Sequence, residues 1–484
     1  MNFRAVFFLL GRLLLALAAA LVIPALVAAF YGSPDRDAFL VSAAIAGAAG
    51  LLMQRLFAPN GPLEFGRREA FVLVTAAWVT ASVVGAIPWV IFKGPTFAVD
   101  ALFESASGFT TTGASILSDI EAQPPGLLLW RSLTHWLGGM GIIVLGIAIL
   151  PKLAVGGMEL LGAEAPGPTT EKLTPRIAQT AKALWGIYAL LTLIEAVVLM
   201  LLGVQPLVAV NHAFATMATG GFSTLNTSIA GFNSGAVEMV IVIFMILAGA
   251  NFALHFRLLR GRPGPLFRDK EFRFYIAILS IATVLIVGDL MLNRDQQLTQ
   301  ALRYGVFQAT AIVTTTGFAT ADFDAWPHFS RALLFLLMFV GGCAGSTGGS
   351  VKVARLMIVL KKMKSDLRRL LRPHAVLPVR MGDRAIPEEV VTSVTTFFIL
   401  FISLFALGGL TLAFMGYDLV TAFSAAAACL GNIGPGFEMV GPTKNFGFFP
   451  VPAKLVLVGM MIVGRLELYT ALVMLFALRL RWLR

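Results

Sequence analysis

The chain has 484 residues, 58% of them hydrophobic and 13% charged, with a mean hydropathy of +0.84; a soluble domain carries roughly a quarter of its residues as charges, so water is excluded as the main solvent. The formal net charge of +11 does not call for a nucleic-acid partner, because 28 of the 37 Lys and Arg fall in alternate segments between apolar runs or at the two ends, and only 8 in the intervening segments. That split obeys the positive-inside rule and predicts a multi-pass membrane protein with both termini cytoplasmic.

Taken in chain order, Met1 to Ala29 places Arg4 and Arg12 ahead of a Leu/Ala run. Its apolar stretch from Leu13 to Phe30 is longer than a signal-peptide core, so it reads as a retained helix that turns back through Phe39 to Leu52. The runs Phe71 to Phe92, Leu184 to Leu202, Val237 to Leu254, Phe274 to Leu292 and Phe397 to Met415 approach the about 20 helical residues that cross a hydrocarbon core. They are spread from end to end, which leaves no place for a large soluble domain.

After the first helix pair one phrase occurs four times: an apolar helix, a short amphipathic segment, a Gly/Thr-rich turn and a second apolar helix. The turns are Phe109-Thr110-Thr111-Thr112-Gly113-Ala114, Met217-Ala218-Thr219-Gly220-Gly221-Phe222, Thr314-Thr315-Thr316-Gly317-Phe318 and Leu430-Gly431-Asn432-Ile433-Gly434-Pro435-Gly436. Aligned on Gly113, Gly220, Gly317 and Gly434, they are 107, 97 and 117 residues apart. Each unit lies between basic segments assigned to one side, so it contains an even number of crossings and the units are parallel, unlike inverted-repeat transporters. The pieces Val99 to Phe109, Pro206 to Met217, Leu298 to Val313 and Asp418 to Leu430 are too short to span and read as re-entrant helices.

The predicted fold is therefore an all-α integral membrane protein: two N-terminal helices, then four parallel helix, pore-loop, helix repeats around a central pore, with about 10 transmembrane helices and 4 re-entrant ones. The segments are 1–60 for the helix pair, 61–160, 161–262 and 263–384 for the first three repeats, and 385–484 for the fourth.

Such turns suit a desolvated cation. Glycine allows backbone angles that aim successive carbonyls one way, threonine adds a hydroxyl oxygen, and the C-terminal ends of the re-entrant helices favour positive charge. Enzyme chemistry has no comparable support. Neither a Gly-x-x-x-x-Gly-Lys-Ser/Thr loop nor a Gly-x-Ser-x-Gly elbow is found, and His135, His212, His255, His328 and His374 are scattered with no pair at i, i+4. Cys343 and Cys429 read as buried thiols.

The sequence resembles the Trk/Ktr/HKT superfamily of potassium transporters, and within it the bacterial Trk-type pore subunit. Besides the four turns, the resemblance is carried by Ser105-Ala106-Ser107-Gly108, Trp136-Leu137-Gly138-Gly139-Met140-Gly141, Asn211-His212-Ala213-Phe214, Gly341-Gly342-Cys343-Ala344-Gly345-Ser346-Thr347-Gly348-Gly349 and Gly464-Arg465-Leu466-Glu467. It implies a K+ filter at Thr111, Thr112 and Gly113; Ala218, Thr219 and Gly220; Thr315, Thr316 and Gly317; and Asn432, Ile433 and Gly434. It also implies K+ as the transported ion with no organic cofactor, a homodimer, cytosolic nucleotide-binding regulatory subunits, and a bacterial inner-membrane location. Glu195 is expected to hydrogen-bond a pore-helix residue such as His212.

Two features below the turns point to a gate. The second helix of the third repeat is expected from Phe329 to Lys362, yet Gly341 to Ser350 holds five glycines, each costing about 1 kcal/mol in a helix interior. The stretch is expected to unwind into a loop across the pore, with Gly345, Ser346, Thr347, Gly348 and Gly349 at its centre. Arg465 lies within the last helix, where an arginine costs about 2.5 to 3.5 kcal/mol. It needs acceptors and is expected to take loop carbonyls below the filter. The acids Glu104, Asp119, Glu121, Asp322, Asp324 and Glu438 are expected near the outer mouth. A secondary cation symporter, a Na+-permeable relative and a nonconducting scaffold are the alternatives; a symporter calls for paired intramembrane acids, where the helices offer Glu195 and Glu467.

Overall fold

The computed structural model describes residues 3–59, 66–148, 173–261, 263–372, 377–381, 384–466 and 468. The segment boundaries expected at 60, 160 and 262, together with His374 and Glu467, lie outside these residues.

The chain opens with α1 (Phe3–Phe30) and α2 (Arg36–Leu56). They cross where two glycines face: a Cβ on Gly11 would stand 3.0 Å from the Gly50 carbonyl oxygen, and one on Gly50 would stand 2.9 Å from that of Gly11. Small residues let helix backbones approach in a membrane, where packing replaces the hydrophobic effect between helices. Asp35, buried in the turn between them, accepts from the Leu127 N–H at 2.9 Å. This ties the pair to the first repeat.

The first repeat is α3 (Arg67–Lys93), α4 (Ala98–Phe109) and α5 (Pro125–Ala148). The second is α6 (Leu173–Leu201), α7 (Pro206–Met217), α8 (Gly235–Gly249) and α9 (Phe252–Leu259), followed by the short α10 (Gly264–Arg268). The third is α11 (Lys270–Arg294), α12 (Leu298–Val313), α13 (His328–Leu337) and α14 (Val353–Leu371). A two-residue antiparallel pairing, Arg380–Met381 with Arg384–Ala385, precedes the fourth, α15 (Glu388–Phe414), α16 (Leu419–Leu430) and α17 (Val451–Arg465). Among the described residues α1, α2, α3, α6, α11 and α15 are long and apolar enough to cross a bilayer unbroken.

The short helices α4, α7, α12 and α16 are the interior of the molecule. Their C-terminal halves are buried almost throughout, as in Phe103 to Phe109 and Ser424 to Leu430. Those stretches are rich in Ala, Ser and Gly, so four helix ends can crowd together. The long helices behave oppositely: Leu193, Ile281, Ile399 and Leu410 are about 60% exposed, as side chains facing lipid would be.

Two second helices are broken. The apolar run Val237 to Leu254 is not one span, as its hydropathy had implied: it bends by 102° between α8 and α9. Asn251 caps the new helix, its Oδ1 accepting from Ala253 N–H at 2.9 Å; a cap residue after Gly249 inside an apolar run was the available signal. In the third repeat the helix expected from Phe329 to Lys362 stops at Leu337 and restarts at Val353, so the unwound stretch is wider than the glycines alone indicate.

Candidate functional site

Each short helix ends in the same way. The next three N–H groups return to its last turn: Thr110 to Ala106, Thr111 to Gly108 and Thr112 to Ser107; Ala218 to Phe214, Thr219 to Thr216 and Gly220 to Ala215; Thr314 to Thr310, Thr315 to Ile312 and Thr316 to Ala311; Gly431 to Ala427, Asn432 to Cys429 and Ile433 to Ala428. The second residue of each turn is left-handed, with φ of 52° at Thr111, 53° at Thr219, 59° at Thr315 and 53° at Asn432. Two residues on, φ is positive again: 80° at Gly113, 80° at Gly221, 75° at Gly317 and 103° at Gly434. Alternating handedness turns successive carbonyls to one side, and only glycine adopts the last of these angles without strain.

This common backbone corrects one register. Gly221, not Gly220, is the counterpart of Gly113, Gly317 and Gly434. The expected triplet Ala218, Thr219, Gly220 therefore corresponds geometrically to Thr219, Gly220, Gly221, and Ala218 stands level with Thr110. The residues after the glycines are then Ala114, Phe222, Phe318 and Pro435, two of them aromatic.

The turns meet in a cycle. A Cβ on Gly113 would run into the Gly220 carbonyl, one on Gly221 into that of Thr316, one on Gly317 into that of Ile433, and one on Gly434 would stand 2.9 Å from that of Thr112. First touches second, second third, third fourth, and fourth first. All four glycines line one cavity of about 140 Å³. What the four turns bring together is oxygen: the carbonyls of Thr112, Gly220, Thr316 and Ile433, each against the glycine of the neighbouring turn. Such a set fits a hard alkali cation.

Behind the turns the bracing differs from repeat to repeat. Glu104 is buried and accepts from Arg131 Nε at 2.7 Å, from Ser115 Oγ at 3.0 Å and from Ile116 N–H at 3.0 Å, so it is a structural ion-pair member and not an acid of the mouth. Arg131 donates on to the Ser223 carbonyl at 2.9 Å and lies 4.1 Å over the Phe222 ring. The same ring stacks on His135 at 4.1 Å, 13° from parallel. Asn432 takes the place that threonine holds in the other repeats, and its amide donates to Thr112 Oγ1 at 2.9 Å and the Met461 carbonyl at 3.0 Å.

The rim is tied in the same cyclic order. Glu238 of the second repeat accepts from Arg303 of the third at 2.6 and 2.7 Å. Arg331 of the third donates to Asp324 at 2.9 Å and to Glu438 of the fourth at 3.0 Å, and Lys454 of the fourth pairs with Asp100 of the first. Hydrogen bonds from the Asn226 side chain and the Ala122 backbone hold the exposed Asp119 carboxyl below the usual carboxylate range.

On the other side of the turns lies the Gly-rich loop. Gly349 N–H donates to Thr315 Oγ1 at 2.7 Å, Thr347 Oγ1 to the Met217 carbonyl at 3.0 Å, and Arg465 Nη1 to the Thr347 carbonyl at 2.8 Å. Cys343 N–H and the Gly249 carbonyl, 2.8 Å apart, join the two broken helices to each other. The loop thus touches the ends of α7 and α12 and the last turn of α17. Glu195 faces the short helix α7 as expected, but at Thr216 and not at His212. His212 is engaged by the Val208 carbonyl at 2.8 Å and Ser223 Oγ at 3.0 Å, and the fully buried Glu195 carboxyl approaches Thr216 of the same short helix instead.

Four parallel units whose re-entrant turns close into one oxygen-lined cycle define a multi-pass membrane protein of the pore-loop kind. Residues 43–479 match the TrkH family of cation transport proteins, and the chain belongs to that family. It is 40% identical over 482 residues to the Trk system potassium uptake protein TrkH of Escherichia coli (strain K12), with 98% of each chain covered. To the protein of the same name from Halomonas elongata it is 39% identical over 479 residues, again with 98% of each covered. The crystal structure of the potassium transporter TrkH from Vibrio parahaemolyticus matches with a TM-score of 0.90 at 36% identity, over 98% of this chain and 99% of that one.

Proposed function

We propose that this protein takes up K+ across the membrane through the axis formed by its four turns. The carbonyls of Thr112, Gly220, Thr316 and Ile433 replace the hydration shell of the ion, with Thr111, Thr219, Thr315 and Asn432 one step further in and Gly113, Gly221, Gly317 and Gly434 giving the backbone its shape. The observation that carries this reading is the closed cycle of contacts, first repeat to second to third to fourth and back. The names of the relatives, all potassium uptake proteins, support K+ as the ion.

The loop around Gly345 to Gly349 lies directly beneath the axis and is the gate, with Arg465 as its positive counterweight: the guanidinium holds the Thr347 carbonyl and repels a cation while the path is shut. The basic segments face the cytoplasm in a bacterial inner membrane, where a second copy of the chain and a nucleotide-binding Trk component assemble with it.

Rb+ uptake into vesicles containing the purified chain, competed by K+ and Na+, tests the reading. Uptake down the Rb+ gradient alone, suppressed by K+ at concentrations where Na+ has little effect, is expected. Uptake that requires an imposed H+ or Na+ gradient would instead establish a symporter, and no uptake would remove K+ transport by the chain alone.

A further inference from the structure

The feet of the Gly-rich loop converge on one atom. Glu271 Oε1 accepts from the Ala344 N–H at 2.6 Å, where the chain enters the loop, and from the Ala354 N–H at 3.0 Å, where it leaves. Glu271 belongs to the first turn of α11, 73 and 83 residues earlier in the chain. Ala354 is the second residue of α14, and the first N–H groups of a helix have no partner inside it. The carboxylate therefore supplies a cap and a favourable charge at that helix end, and with the same oxygen it closes the base of the loop.

Lys352 works from the opposite side. It is the residue before α14, buried, and its Nζ folds back into the crown of the loop. There it donates to the Ser346 carbonyl at 3.3 Å, to Ser346 Oγ at 3.2 Å and to the Gly348 carbonyl. An ammonium has three protons to give, and here it gathers oxygens of the same backbone whose Thr347 carbonyl Arg465 holds. Opposite charges thus bracket a single flexible segment, one at its feet and one within its crown.

We propose that Glu271 and Lys352 are positioning residues of the gate, a two-part latch that keeps the Gly-rich loop across the axis. This deepens, and rests on, the reading of the loop as the gate of a K+ path. Because α11 begins just after α10 and Glu271 lies inside the basic segment Arg257 to Arg273, a pull on that segment draws Glu271 from both feet together. The latch is the mechanical link between the end of the molecule that carries the basic segments and the ion path.

A native thiol reports on the loop without any ion. Cys343 is fully buried at the loop entrance, and in a Cys429→Ala background its rate of reaction with a small charged thiol reagent measures opening. Glu271→Gln takes the charge from the two bonds at the feet and Lys352→Met removes the ammonium's bonds in the crown, each change worth about tenfold in the open-to-closed ratio. Both the Cys343 reaction rate and Rb+ flux are expected to rise by about that factor, with the ratio of Rb+ to Na+ flux unchanged and Lys352→Arg returning both toward the parent.

Monodisperse variants with parental Cys343 rates and parental flux overturn the latch, as does a flux rise accompanied by lost ion discrimination, which would signal damage to the turns. Should Glu271→Gln not fold, Lys352→Met with its Arg rescue decides alone. If Cys343 reactivity rises while no protein, the parent included, carries Rb+, the latch stands and the K+ reading falls.

Discussion

The four turns and the loop beneath them are all built on glycine, and three of the turns share threonine with the loop, yet they are held in opposite ways. Each turn is fixed by three N–H bonds to its own short helix, in a pattern repeated four times. The loop has Lys352 at its own end to gather its crown, but what ties it in place belongs elsewhere: Glu271 of α11, Thr315 beyond α12, the Met217 carbonyl and Arg465 of α17. A segment whose bonds are local keeps its shape when its neighbours move, whereas one whose bonds are borrowed changes when any lender does. On the proposed reading, repetition serves the part that meets the ion, and the unrepeated part serves control.

Breaking the support of the turns has the largest expected effect. Arg131→Met leaves the Glu104 carboxylate buried and uncompensated, at a cost of about 3–5 kcal/mol. The measurement is the thermal unfolding midpoint of the purified protein, and a drop of only a degree or two would show that the Glu104 network is dispensable.

Next comes the cycle itself, which also tests the register of the second repeat. Gly221→Ala drives a Cβ into the Thr316 backbone carbonyl at a φ of 80°, so a loss of Rb+ uptake of about tenfold or more is expected, with no rescue by side-chain substitution. Gly220→Ala meets the His135 ring first. Its loss is expected to be recovered in the double substitution Gly220→Ala, His135→Ala, and failure of that recovery would restore Gly220 as the counterpart of Gly113.

A gain of function is expected from the control side. Arg465→Ala removes a charge-assisted bond to Thr347 and a positive charge near the axis, and shortening Gly345 to Gly349 removes the obstruction; each is expected to raise Rb+ flux several-fold, about what one such bond is worth. Reduced flux in a stable Arg465→Ala protein would make the arginine a packing residue. The smallest effect belongs to the rim, where Glu438 is 46% exposed. There Glu438→Gln, which leaves Arg331 its Asp324 partner, is expected to lower stability by about 1 kcal/mol or less, detectable as a shift in unfolding midpoint with uptake intact.

Much of the fold was legible because the repeated feature is a contrast within one chain. Short amphipathic segments ending in Gly/Thr stand out against long apolar runs, and α4, α7, α12 and α16 lie where those segments were read. The register of the second turn was not legible, since Gly220 and Gly221 are adjacent and only the backbone angle distinguishes them. The break at Ala250 was masked by hydropathy, which is blind to a single capping Asn251. The Glu195 to His212 bond failed because composition says that a buried acid needs a partner but not which one, and His212 is held by Val208 and Ser223. Glu271 gave no signal at all: an acid at the start of an apolar helix looks solvated until the loop folds onto it.

The most direct test is to see the ion. Crystals grown in Rb+ or Tl+ are expected to show anomalous density on the axis, ringed by the carbonyl oxygens of Thr112, Gly220, Thr316 and Ile433. Density confined to the mouth, or an axis empty at this ring while ions occupy sites elsewhere, would contradict the assignment of the four turns as the place where the cation sheds its water.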